Sequence, residues 1–231
     1  ISTRAFSGLD SAQITALSSA QIGALTTAQL ALLSSGAIAG LSTEDLNALD
    51  PADFAAISSR AIAGLSTATI AALDTARLAG LSTSQISALS TSQIRAMTST
   101  QIAGLTSTQF GALSSAQIRS LATQSIVALS TAQVAALSSR VIGALSTDQL
   151  TAMTTSQIEA LTPQQVAALG SAAISALDGA DLQLFSTDDI VAITTRAIAG
   201  LSTQDIDDLS SSQLRAIRPA DFAAFEDRKS V

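Results

Sequence analysis

The groups able to do acid–base chemistry in this 231-residue chain are almost all carboxylates: 18 Asp and Glu, no His, Cys or Tyr, and one lysine, Lys229. General acid–base or nucleophilic catalysis needs a titrating or activated side chain held against a partner. Paired carboxylates are the set on offer, and their densest stretch runs through Asp178, Asp181, Asp188 and Asp189 to Asp205, Asp207 and Asp208. Oxygens in such numbers suit calcium if several turns of chain bring them together, although no glycine-rich calcium loop accompanies them. Four of the ten arginines, Arg4, Arg60, Arg140 and Arg196, recur in one phrase, Ser/Thr-Arg-Ala/Val-Phe/Ile. They suit either a solvated face or a lateral contact with another subunit. Rows of Ser and Thr hydroxyls offer a third option, a regular surface for ice or glycan.

What positions these groups is an eight-residue period, and a repeat has to be read before any element. Counting octads from Ile1, position 1 is apolar from Ile1 and Leu9 through Ile217, and position 6 is apolar from Phe6 and Ile14 to Phe222, in all 28 octads. Position 2 is Ser, Thr or Asp in 25 of the 28, the exceptions being Ala122, Gly170 and Arg218, and position 5 is Gln or Asp in 19. Those two positions have the capping-box spacing, in which an N-cap oxygen accepts from the N3 amide and the N3 side chain reaches back to the N-cap amide. Every octad is therefore expected to start a helix.

Three further features fit that frame. Pro51, Pro163 and Pro219 all fall at position 3, which becomes N1, where a missing amide hydrogen costs nothing. Positions 1 and 6 become the two halves of a hydrophobic staple. Thirteen of the acidic residues fall at the N-cap or in the first turn, where the helix dipole favours negative charge. This accounts for Asp178, Asp181, Asp188, Asp189 and Asp205 without a metal, and it commits the position-2 hydroxyls to capping. A single continuous helix is excluded, because eight residues overshoot two turns by about 80° and would wind the apolar stripe around the axis.

The expected fold is an all-α solenoid of about 28 very short capped helices over residues 1–225. Helices of about six residues do not stand alone, since isolated ones need about 12 to 15, so these must stack. Two buried side chains per octad do not offset the ordering of the whole octad. Position 8, which is Gly, Ala or Ser in 25 octads, is expected to let backbones approach closely. Positions 4 and 7 are read as the solvent face.

The octads with Ala5, Ala37, Ala61, Val141, Ala173 and Ala197 at position 5 are spaced so that 1–95 and 137–231 resemble copies offset by seventeen octads. Asp45 and Asp53 match Asp181 and Asp189 at the same offset. The segment 226–231 leaves the pattern and reads as a frayed tail. The array begins in phase at Ile1 with no signal-peptide character, and a segment of a longer repetitive protein or the processed subunit of an assembly is the expectation.

A net charge of -7 and a pI near 4.3 argue against nucleic acid, which requires clustered cations. No apolar run approaches the roughly eighteen residues of a membrane span, so membrane insertion is not expected. Without Cys there are no disulfides or thiolate metal sites. The reading is of a non-enzyme with no cofactor.

Two resemblances are present. Leu161, Thr162, Pro163, Gln164, Gln165, Val166, Ala167 and Ala168 resemble the first helix of repeats in TAL effectors, which bind DNA. The likeness is confined to this phrase and comes with no basic stripe, so it is read as shared capping logic and DNA binding is not carried over. The octad Leu129–Ala136 resembles the Ala/Ser/Thr-rich short repeats of large secreted or surface proteins of bacteria, which implies an extracellular structural role. A spacer, stalk or self-assembling filament segment, with self-association as its interaction, is the leading expectation. The alternative is a module presenting one flank to a protein, glycan or ice surface.

Overall fold

The protein is described by a computed structural model over residues 6–221. The expected tail, 226–231, lies outside the described residues. The chain clusters into two compact units, 1–121 and 122–231, and both follow the same rules.

Between Ser11 and Ala216 every octad forms one helix, giving twenty-six helices of four to six residues. Each N-cap falls at position 2, as the frame requires. Before Gln85 the break consists of two extended residues, Leu81 (φ -67, ψ 145) and Ser82 (φ -69, ψ 159). Among the described residues no φ is positive, so the chain leaves each helix without the left-handed glycine that commonly ends one. Only ψ changes, from the helical to the polyproline region.

Ser82 shows the local chemistry. Its Oγ accepts from the Gln85 amide at 3.2 Å, while Gln85 Oε1 accepts from the Ser82 amide at 2.7 Å. The same reciprocal pair recurs at Asp10, Ser18, Thr26, Thr98 and Ser210, among others. Ala122 and Gly170, with no side-chain oxygen, begin helices uncapped.

Positions 1 and 6 build the core. Ile38, Phe54, Ile57, Ile86, Ile102 and Phe110 are wholly buried in the first unit, and Val166, Ile174, Leu182 and Ile193 in the second. Position 4 is exposed in every described octad, and position 7 is exposed or half-buried. Stacking follows a fixed step: each helix packs on the third one along, as Pro51–Ala56 does on Thr75–Gly80, and Ser171–Ile174 on Thr195–Ile198. Contacts thus run between near neighbours in sequence, the mark of a solenoid.

The small position 8 sits at this step. A Cβ added to Gly64 would overlap the backbone of Ser35, and one on Gly200 would overlap the carbonyl of Ser171. Both glycines touch position 3 of the octad three earlier, and since neither has a positive φ, their role is close approach. Gly64→Ala is expected to lower stability by about 1 to 3 kcal/mol through overpacking, read as a lower urea midpoint. Gly36→Ala, with open space around its Cβ site apart from a Ser34 hydroxyl contact at 3.8 Å, is the control and should be neutral or slightly stabilising.

Candidate functional site

The feature that joins one turn to another is the side chain at position 5. A helix ends with carbonyls that lack intrahelical donors, and the extended residue that follows adds another. In the interior, these carbonyls are met by a glutamine from a later turn. Gln109 Nε2 donates to the carbonyls of Leu78 at 3.0 Å, Ala79 at 2.9 Å and Leu81 at 2.6 Å. Its Oε1 meanwhile accepts from the Thr106 amide at 2.9 Å. One side chain therefore caps the start of its own helix and the end of another.

The same arrangement repeats with constant offsets of 28, 30 and 31 residues. Gln101 reaches Ile70, Ala71 and Leu73, and Gln117 reaches Ile86, Ser87 and Leu89. In the second unit Gln157 reaches Ile126, Val127 and Leu129, Gln165 reaches Val134 and Leu137, and Gln213 reaches Leu182 and Phe185. These glutamines are buried, each no more than 4% exposed, so both ends of the amide have to be satisfied.

Two departures from glutamine keep the joint intact by other means. Arg77 donates from Nε to the Leu46 carbonyl and from Nη2 to those of Asn47 and Leu49, the same three offsets, and pairs with its own N-cap, Asp74. Asp221 cannot donate. There the N-cap is Arg218, whose Nη2 donates at 3.1 Å to the Ile193 carbonyl, the one a glutamine in place of Asp221 would take. Arg218 also binds the carboxylate through Nε at 2.8 Å. Burial works to raise the Asp221 carboxyl, but the hydrogen bonds and charge of Arg218 and the Thr195 hydroxyl outweigh it and hold it below the usual carboxylate range. Asp45 is likewise held low: burial opposes, while Ser42 and the Ser19 hydroxyl, at 2.8 Å, prevail. Asp181 is raised, by burial first and by the charge of Asp178.

Position 5 is N3 of a capping box, as its spacing predicts, and it also donates to another turn. The signal for its second role is that glutamate never occupies position 5, although a capping box accepts Glu as well as Gln. A carboxylate on the longer arm would meet the carbonyls with no proton to give. The aspartates found there are shorter.

The arginines singled out by their phrase all fall at position 4 of their octads. Arg4 lies outside the described residues. Arg60, Arg140 and Arg196 are exposed at position 4. The helices bearing Arg140 and Arg196 pack on different partners, Pro163–Val166 and Ser171–Ile174. Arg196 borders a shallow groove with Ser171, Ser175 and Gly200. Of the acidic stretch, Asp178 is an N-cap, Asp181, Asp189 and Asp205 are N3 residues, and Asp207 and Asp208 end a helix. Among the described residues no three His, Cys, Asp or Glu converge to hold a metal, and no helix is long and apolar enough to cross a membrane.

A family model described as the ALTTAQ repeat matches residues 1–27, 46–83, 70–107, 107–139, 126–163 and 141–171. Its motif reads directly from Ala24 to Gln29. No curated protein matches the chain.

Proposed function

The chain belongs to the ALTTAQ repeat family, and on that premise we propose that its repeat scaffold serves as a spacer, stalk or self-assembling filament segment of a bacterial surface or secreted protein. One observation carries the reading: the hydrogen-bonding capacity of the chain is spent on joining turn to turn. Position-5 glutamines close interior joints, position-2 oxygens close most helix starts, and the carboxylates of the densest stretch are mostly caps. A chain built this way resists extension and displays a repeating outer row at position 4.

Self-association is the proposed interaction. In the first described turn Gln13 and Gln21 are exposed, and Leu9, Leu17 and Leu25 are only half-buried. A groove there is lined by Phe6, Leu17, Gln21, Ala24 and Leu25. In the interior the equivalent side chains are covered by another turn, so a further turn, from neighbouring repeats of a longer chain or from a second copy, fits the same rules.

Electron microscopy of the purified chain tests the proposal. Ordered fibres or tubes are expected, and discrete monomers at all concentrations would overturn self-assembly in favour of a flank-binding module. That second reading draws on the regular row of exposed position-4 residues. The placement at a bacterial surface rests on repeat style, and fractionation of the source cells checks it.

A further inference from the structure

At one joint in the second unit a buried carboxylate oxygen stands without a partner where a closing donor would be. Asp189 occupies position 5 of its octad, and its Oδ2 fulfils the capping role, accepting from the Ser186 amide at 2.9 Å and hydroxyl at 2.6 Å. Its Oδ1 is buried without a hydrogen-bond partner, in a residue only 8% exposed. In the register that pairs Gln165 with the Leu137 carbonyl and Gln213 with that of Phe185, Asp189 falls opposite the main-chain carbonyl of Leu161. The glutamine amide that would close this joint is replaced by an aspartate, which carries no amide donor.

Two of the other position-5 aspartates show what is missing. Asp45 receives the hydroxyl of Ser19, and Asp221 that of Thr195, each supplied by position 3 of an earlier octad. The equivalent residue for Asp189 is Pro163, which has no hydroxyl. Asp205 also lacks one, facing Gly179 in this register, but it is half-buried and open to water. Among the described residues Asp189 alone combines burial, an unpartnered oxygen and a main-chain carbonyl opposite.

A buried carboxylate oxygen and a buried carbonyl do not lie opposite one another without something positive between them. We propose that Asp189 Oδ1 and the Leu161 carbonyl hold a single hard cation, sodium or calcium, as a substitute for the missing glutamine amide. All the donors are oxygen, which suits these ions, and a cation beside the carboxylate offsets the cost of burying its charge alone. The site makes one joint of the scaffold depend on ions, unlike the joints that Gln165 and Gln213 close by amides.

Thermal melting of the full chain at constant ionic strength tests this, with sodium, with added calcium, and with a bulky organic cation as the only cation. The chain is expected to melt several degrees higher with sodium or calcium than with the organic cation. Asp189→Gln, which restores the amide, and Pro163→Ser, which returns the hydroxyl that Asp45 and Asp221 enjoy, are each expected to abolish that response. Asp45→Gln should leave it in place. A response to sodium alone identifies a monovalent site, and saturation by calcium at lower concentration a divalent one. If the unaltered chain melts identically in all three media, a bridging water or a shared proton fills the gap and the proposal is overturned. It is equally overturned if either variant keeps the full cation response.

Discussion

Gln109→Glu is expected to destabilise the first unit by about 3 to 5 kcal/mol, the range for an uncompensated buried charge, and to do so in a pH-dependent way. The introduced carboxylate keeps the capping half of the joint, since one oxygen still accepts from the Thr106 amide. The other oxygen replaces Nε2 among the carbonyls of Leu78, Ala79 and Leu81, at 2.6 to 3.0 Å, where it is repelled. Repulsion and burial raise the folded-state pKa of the new acid above its unfolded value of about 4.3. The destabilisation is therefore fully present above the folded pKa. It fades as pH falls through that value, because the protonated acid regains a donor for the carbonyls. Urea denaturation at pH 7 and at pH 4 checks this, with the gap to the unaltered chain expected to shrink at the lower pH. Gln109→Leu separates charge from lost hydrogen bonds: its cost of about 1 to 3 kcal/mol is expected to be the same at both values. Equal costs for Gln109→Glu at the two pH values would contradict the role assigned to the amide.

Ile102→Asp carries the second large effect. Ile102 is wholly buried at position 6 in the middle of the array, and an aspartate there loses the packing and leaves a charge with no partner, several kcal/mol in all. In a scaffold stabilised by near-neighbour contacts, such a lesion stops cooperative unfolding from passing through it. Two separated transitions are expected in a urea titration followed by circular dichroism. Ser130→Ala makes the comparison. It removes an N-cap oxygen that accepts from the Gln133 amide at 3.2 Å, for about 0.5 to 2 kcal/mol. A shifted midpoint with an unchanged slope is expected there. Similar, negligible effects at both sites would contradict the octad frame.

Where each helix starts is legible in the sequence because capping is local chemistry. An N-cap oxygen, an N3 amide and a staple of two apolar residues all lie within a single octad, so spacing is enough to read them, and Ser82, Gln85 and Ile86 fall as read. The prolines at N1 and the small residues at position 8 were legible for the same reason. Which turn meets which was not. A chain with so short a period offers itself nearly identical partners three, four or five octads along, and cap chemistry is the same for all of them. Only the packing angle of short helices around the Leu and Ile core selects contact with the third helix along, and with it the reach of Gln109 to Leu78, Ala79 and Leu81. That choice sets which glycines must be bare, as Gly64 is against Ser35, and why Arg218 accompanies Asp221. It also leaves Asp189 in register with Pro163 and one oxygen unmet, since no rule within one octad connects residues on different turns.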